Sequence, residues 1–343
     1  MSICAAFAER IQRFTLAANS DMHTISQYRD LFTEFLQKQN LRKEPLGLYE
    51  PVDYIIGLGG KRMRPILTLM GAEVFDAPYH EALPAALAVE MFHNFSLVHD
   101  DIMDDAPLRR GHETVHEKWN LNTGILSGDA MLILAYRYFE GYEPETFREL
   151  AKLFSKTAIE VCEGQQWDVD FETRDDVTIS EYLKMIEYKT AVLVGAALQM
   201  GAIVAQTSDE NKKLIYDFGC NLGVAFQLQD DYLDAFGDPE TFGKQVGGDI
   251  IENKKTYLYL KAMAFADDKI QLNHLYSINP DDSTDKIASV KQIFNSSGAS
   301  DETRKAIRDY TFKAFATLEK MDISSDKKAI LRAFGEKLMN RSV

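Results

Sequence analysis

No proline occurs between Pro144 and Pro239, and none follows Pro280. Proline inside a helix removes a hydrogen bond and clashes with the preceding turn, so long proline-free runs are where unbroken helices can form. Apolar residues recur at helical spacing in Leu83 to Asp105, Glu145 to Glu163, Ser180 to Gln206 and Asn211 to Phe236. No sustained apolar–polar alternation marks a sheet, and no short repeat, low-complexity tract or linker divides the chain. The expectation is a single all-α domain over residues 1–343. Asn279 to Asp285, reading NPDDSTD, is the best loop signal, and the stretch from about Lys286 is charged and amphipathic.

With 45% apolar residues the chain can bury a sizeable core. Its net charge of -15 argues against nucleic acid, whose binders carry a basic face, and suits a protein that gathers metal cations. Cys4, Cys162 and Cys220 are far apart and odd in number. They point to a reducing compartment, the cytoplasm, rather than to a disulfide framework. Glu9 and Arg10 interrupt the N-terminal apolar run, which argues against a signal peptide. Thr190 to Ser208 carries no charge and is long enough to span a bilayer. Its Ala, Gly and Gln content, with no partner span elsewhere, reads better as a helix buried on all sides, so no membrane span is expected.

The segment HNFSLVHDDIMDDAPLRRG, His93 to Gly111, places Asp100, Asp101, Asp104 and Asp105 behind the apolar Phe95, Leu97 and Val98. Pro84 can open a helix. Pro107 cannot continue one. The acids therefore fall in a last turn, where the helix dipole repels them. Like charges three or four positions apart add a few tenths of a kcal/mol of repulsion. A solvated acidic helix end is the plain alternative, but the spacing recurs. FQLQDDYLDAFGDP sets Asp230, Asp231 and Asp234 behind Phe226 and Leu228, with Gly237 and Pro239 ending that helix. If the two clusters face each other, they form an oxygen-lined site suited to Mg²⁺ bridging to substrate phosphates.

Phosphates also need cations from the protein. GLGGKRMRP supplies Lys61, Arg62 and Arg64, with Gly59 and Gly60 turning the chain before a helix that starts near Pro65. Backbone amides at a helix start favour anions. LRRG adds Arg109 and Arg110. Either basic pair alone reads equally well as solvated surface. Lys189 and Thr190 open the uncharged helix, and Gln227 shares a face with Asp230. FGKQVGGDIIENKKTY supplies Lys244, Asp249, Lys254 and Lys255. Gln165 and Asp168 read either as polar core or as support for metal ligands.

The motifs GGKRMRP, DDIMDD with LRRG, GQQWD, KTA, FQLQDDYLD and GKQVGGDIIENKKTY follow one another between about residues 57 and 258. In them the chain resembles the E-type (trans) polyprenyl diphosphate synthases, specifically short-chain members of the geranylgeranyl and farnesyl kind. The first 45 or so residues and the final third are only loosely constrained by the likeness. The resemblance implies an isoprenoid synthase-type bundle of long antiparallel helices around a deep central cavity, usually as a homodimer. It implies head-to-tail condensation of isopentenyl diphosphate with an allylic diphosphate, releasing pyrophosphate. Carried over by position, Asp100, Asp104 and Asp230 bind Mg²⁺, with Asp101, Asp231 and Asp234 completing or supporting the cluster, and three ions when substrate is bound. Arg109, Lys189, Lys244 and Lys254 contact the allylic diphosphate. Lys61, Arg64, His93 and Arg110 hold isopentenyl diphosphate, and Thr190 and Gln227 lie near the developing carbocation. The physics agrees, because metals and arginines neutralise the leaving charge. An apolar cavity keeps water from the cation. The departing diphosphate takes the final proton, so no nucleophilic side chain or protein base is required.

The growing chain is expected to run beside the first aspartate helix. Phe95 lies five positions before Asp100, about 7.5 Å along the axis at ~1.5 Å per residue, with Met91 a further turn back. Phe95, Ser96 and Met91 are thus the chain-length positions. An aromatic at Phe95, serine at Ser96 and no insertion in the first motif are closest to one class of geranylgeranyl synthases. The expected product is C20, with farnesyl (C15) as the alternative, and Phe95 as plain core packing stays open. A class I terpene cyclase shares DDxxD but has no need of GGKRMRP. An HD-type phosphohydrolase could use His99 and Asp100 but leaves the repeated motif unexplained. A metal buffer or inactive subunit would not need both acid and both basic clusters.

Overall fold

The computed structural model describes residues 22–238, 246–267, 269–280 and 282–339. Local signals set where its helices begin. Thr24 and Gln27 form a reciprocal capping box at the start of α1 (Ile25–Gln37). Helix α2 (Leu46–Gly57) follows, and α3 (Met63–Glu73) starts after a turn in which Gly59, Gly60 and Arg62 all have positive φ. Pro84 sits in the first turn of α4 (Leu83–Met103), and Pro144 opens α7 (Pro144–Thr173). Between them β1 (Leu108–Arg109) pairs with β2 (His112–Glu113), the one strand pairing among the described residues. Single-turn α5 (Val115–Lys118) and α6 (Leu121–Arg137), capped by Asn120, follow the hairpin. A second capping box, Thr178 with Glu181, starts α8 (Ile179–Ile186). A π-helical turn (Glu187–Ala191) carries it directly into α9 (Val192–Val204). Ser208 caps α10 (Asp209–Phe236). Helices α11 (Gly248–Ile251), α12 (Tyr257–Phe265), α13 (Lys269–Leu275), α14 (Thr284–Ser296), α15 (Ala299–Glu319) and α16 (Ser325–Met339) complete the array.

The uncharged helix lies at the centre. Helix α9 packs against α3, α7 and α10 and is buried along almost its whole length. Glycines on both α9 and α3 permit the contact: a Cβ on Gly201 would stand 2.2 Å from the Thr68 carbonyl oxygen, and one on Gly71 equally close to that of Leu198. Glycine costs about 1 kcal/mol of helix propensity. Each fully buried Leu or Ile recovers about 1.5–3 kcal/mol, so the close packing wins. No helix among the described residues is long and apolar enough to cross a membrane.

Two apolar clusters make the core. One gathers Ile55, Leu69, Phe92, Phe154 and Leu198; the other gathers Tyr182, Leu233, Leu258 and Phe294. Helix α10 belongs to both, giving Ile215, Phe218 and Leu222 to the first and Val224, Leu228 and Leu233 to the second. The helices differ from the periodicity reading in two places. Helix α7 runs on to Thr173, and the expected Ser180–Gln206 helix is broken by the π turn and ends at Val204.

Candidate active site

The first acid cluster straddles a helix end. Asp100 and Asp101 lie in the last turn of α4, and Asp104 is its C-cap. Asp105 lies beyond, in the left-handed region at φ 49°. Asp101 is buried, whereas Asp104 and Asp105 are exposed. Arg109 returns from β1, and its Nε donates to Asp101 Oδ1 at 2.8 Å, with Nη2 donating to the same oxygen. Its Nη2 is also 3.8 Å from Asp100 Oδ2. Lys189 reaches in from the π turn. Its Nζ donates to Asp168 Oδ2 at 2.6 Å and stands 3.7 Å from Asp100 Oδ1. The backbone there is fixed by Gly164 of α7, where a Cβ would come within 2.3 Å of the Lys189 nitrogen. π turns mark functional positions disproportionately often.

Two oxygens in this cluster remain unsatisfied: Asp100 Oδ1 and Asp101 Oδ2 are buried with no hydrogen-bond partner among the described residues. A buried acceptor left unpaired is costly. An added cation would remove that cost, so the donor set fits a hard divalent ion. Burial raises the Asp101 and Asp104 carboxyls above the usual range, and the neighbouring Asp100 charge adds to both.

The second cluster is built around Asp231, which is buried and uses both oxygens. The Tyr182 hydroxyl donates to Oδ2, and Gln227 Nε2 donates to Oδ1 at 3.0 Å. Gln227 Oε1 in turn accepts from Thr190 Oγ1 at 3.1 Å. Asp234 Oδ2 accepts the Asp249 N–H at 3.0 Å, and its carbonyl accepts that of Gly247 at 2.6 Å. Asp230 is half-buried on the same helix end. Burial, with repulsion from neighbouring acids, raises both the Asp231 and the Asp249 carboxyls. Lys254 pairs with Glu252 at 2.7 Å, and its field reaches Asp104 on one side and Asp249 on the other. Burial opposes the charge on Lys189, but Asp168 and Asp100 outweigh it and hold the amine protonated. Lys254 is thus the cation whose field reaches both acid groups.

The basic side converges on His93. Arg64 Nη1 lies 3.1 Å from His93 Nε2, and Arg64 Nε is buried with no hydrogen-bond partner among the described residues. Burial, reinforced by Arg64, Arg110, Arg109 and Arg62, drives the His93 pKa well down, so its ring is neutral and Nε2 accepts from Arg64. Burial also lowers Arg64, to about 10. Arg110 Nη1 donates to the Gly59 carbonyl, and its guanidinium fills the space where a Gly60 Cβ would stand 2.9 Å from Cζ. The glycine pair thus turns the chain and seats Arg110. Lys61 is exposed beside them. Arg62 is used differently: it donates to Glu90 and to the Ile56 carbonyl in the interior, and Asn94 Nδ2 adds a 3.1 Å bond to Glu90.

Lys244 lies outside the described residues. Of the chain-length positions, Met91 is fully buried in the first core. Phe95 packs its ring 5.5 Å from that of Phe92 and 4.8 Å from that of His99. Ser96 is half-buried and donates to the His93 carbonyl at 2.9 Å.

Motif reading passed over Glu90 and Tyr182. Glu90 carried a signal, a single acid inside the apolar run ALAVEMF with Asn94 one turn on. Tyr182 and the π turn carried none. One further group was not read as ligands: one donor atom each from Asp105, His116 and Glu117 already lie within 4.8 Å of one another.

A helical bundle that sets two carboxylate clusters beside arginines around a neutral histidine has the all-α fold of the prenyl synthases. The chain belongs to the polyprenyl synthetase family, matching it over residues 46–295, and is a prenyltransferase. That match reaches further in both directions than the motifs alone. Among its relatives, a geranylfarnesyl diphosphate synthase of Natronomonas pharaonis is 36% identical over 338 residues, which is 93% of this chain and 97% of that one. A geranylgeranyl pyrophosphate synthase of Geoglobus acetivorans is 36% identical over 299 residues, 87% of this chain and 92% of that one. A crystal structure of a geranylgeranyl pyrophosphate synthase superposes with a TM-score of 0.91 at 56% identity, covering 94% of this chain and all 100% of that one.

Proposed function

We propose that the chain joins isopentenyl diphosphate to an allylic diphosphate and stops at geranylgeranyl diphosphate (C20), acting as a single-domain, Mg²⁺-dependent, cytoplasmic homodimer. The observation that carries the reading is the opposition of two incomplete sites. Among the described residues Asp100 and Asp101 keep buried oxygens without donors, while Glu90 pairs with Arg62 and neither Arg64 nor Arg110 forms an ion pair. One side calls for a cation and the other for an anion, and Arg109 lies between them.

In this reading Asp100, Asp104 and Asp230 hold the metal, with Asp234 beside them. Mg²⁺, when bound, neutralises the charge that develops on the leaving diphosphate. Arg109, Lys189, Lys254 and Lys244 grip that same diphosphate. Asp101 orients Arg109, and Asp168 orients Lys189. Asp231 acts through its hydrogen bonds, aiming Gln227 and through it Thr190. Thr190 commits its proton to Gln227, so its oxygen lone pairs are what it presents to an allylic cation nearby. Lys61, Arg64, His93 and Arg110 bind isopentenyl diphosphate on the other side, where no metal is needed. Elimination then passes the proton to the departing diphosphate.

Relatives named as geranylgeranyl synthases support the C20 product, as does the packed Phe95. A C25 product is the second reading, because a relative spanning nearly the whole chain is named a geranylfarnesyl synthase. These names do not favour the C15 and cyclase readings. The shared helix α10 supports one domain. The exposed Leu126 and Ile133 on α6 and Ile159 on α7 are surfaces that a second copy could cover.

Calorimetry separates the two subsites. Binding of an unreactive thiolo analogue of farnesyl diphosphate is expected to require Mg²⁺, and binding of isopentenyl diphosphate to proceed without it. Equal dependence of both ligands on the metal would contradict the assignment.

A further inference from the structure

A third set of ligand-type side chains lies outside the residues assigned to the condensation. Asp105 follows α4, while His116 and Glu117 sit on α5, after the hairpin. One donor atom from each falls within 4.8 Å of the others, and His116 Nε2 is 3.6 Å from Glu117 Oε1, too far for a hydrogen bond. The His116 side chain is only 8% exposed, yet neither ring nitrogen has a hydrogen-bond partner among the described residues. Buried imidazoles are normally satisfied. Asp105 and Glu117 face solvent, so an ion has a route in and the two carboxylates have room to adjust.

We infer that Asp105, His116 and Glu117 form a separate site for a divalent transition ion of the zinc type. The chemistry of the donors sets the class. Magnesium prefers oxygen and water throughout, whereas an imidazole nitrogen selects zinc and its first-row neighbours. Zn–N and Zn–O bonds of about 2.0–2.2 Å need ligand atoms about 3.4 Å apart, so the two exposed carboxylates close inward on the fixed histidine. Water completes the shell. The ion ties the residue before the hairpin to the residues after it. That hairpin carries Arg109, bonded to Asp101, and Arg110, bonded to the Gly59 carbonyl. The site is a clip that fastens both arginines, distinct from the Mg²⁺ cluster in ligand chemistry.

The test uses the full chain and the metal alone. The protein is titrated with Co²⁺ in the presence of a large excess of Mg²⁺, which fills all-oxygen sites, and the visible absorption of nitrogen-ligated Co²⁺ is followed. One equivalent per chain is expected, displaced by Zn²⁺. Asp105→Asn and Glu117→Gln are each expected to weaken it at least tenfold, and Asp230→Asn to leave it in place. Both substitutions lie at exposed positions, so loss of fold does not obscure the result. Zn²⁺ is also expected to raise the melting temperature of the unaltered protein but not that of Glu117→Gln. Uptake that survives both Asp105→Asn and Glu117→Gln, or that Mg²⁺ displaces without any nitrogen signature, overturns the proposal. Because the readout is binding, a failure here is independent of whether prenyl transfer is correctly assigned.

Discussion

Arg109 Nε donates to Asp101 Oδ1 across 2.8 Å, and the same guanidinium stands 3.8 Å from Asp100 Oδ2. Two of its nitrogens hold one oxygen, a grip that a lysine cannot reproduce. Arg109→Lys is therefore expected to lower kcat/KM for the allylic substrate by about 10²-fold, the scale of one lost electrostatic contact in a transition state. Isopentenyl diphosphate affinity should change little. Steady-state kinetics with each substrate varied in turn measures both, and wild-type kcat/KM in this variant would remove Arg109 from its assigned place.

Glu90 is a positioning residue with a structural cost. Ten residues ahead of Asp100, it is buried and pairs with the buried Arg62. Glu90→Gln leaves a buried guanidinium uncompensated, which costs about 3–5 kcal/mol. The melting temperature should fall by several degrees, with the basic turn loosened and the isopentenyl diphosphate KM raised. An unchanged melting curve would mean that Arg62 finds another partner.

The raised carboxyls give a pH dependence with a definite sign. Burial and neighbouring acids push Asp231 to about 7 and Asp249 to about 8, above their unfolded value of roughly 3.8. The folded state therefore binds these protons more tightly than the unfolded one. Their stabilising effect is complete at low pH and is lost as pH rises through about 7 to 8. Metal-free protein should melt lower at about pH 8.5 than at about pH 6. Asp249→Asn should shrink that difference, as should Mg²⁺ with pyrophosphate. A melting temperature that rises with pH over this range in the metal-free state would contradict the assignment.

Parts of this site could be read directly from the sequence because they are local. Pro107 follows the end of α4, Gly237 caps α10, and the glycine pair makes the turn before α3. What could not be read is tertiary. The pairing of Arg62 with Glu90 joins residues 28 apart. The π turn at Lys189 packs on the face of α7 that Gly164 leaves open, a contact that no local pattern announces. The hairpin turns at Arg110 and Gly111, both at positive φ, where arginine is a poor advertisement for such a turn. Asp231 sits at a motif position but is held by Tyr182 from a helix with no motif of its own.

Phe95 separates two roles by outcome. As the floor of the cavity its removal lets the product grow, and as core its removal costs about 3–5 kcal/mol with no change in product. Phe95→Ala is expected to yield chains longer than C20, sized by chromatography of the dephosphorylated alcohols. An unchanged product with a lowered melting temperature would make the ring packing only.

The most direct test of prenyl transfer is a product assay on the unaltered protein. Mg²⁺ and labelled isopentenyl diphosphate are supplied with dimethylallyl, geranyl or farnesyl diphosphate in separate reactions, and the alcohols are sized after dephosphorylation. Condensation with all three starters, ending at C20, is expected, and chelation of the metal should abolish it. No condensation with any starter, with pyrophosphate released from one of them, would contradict the central claim.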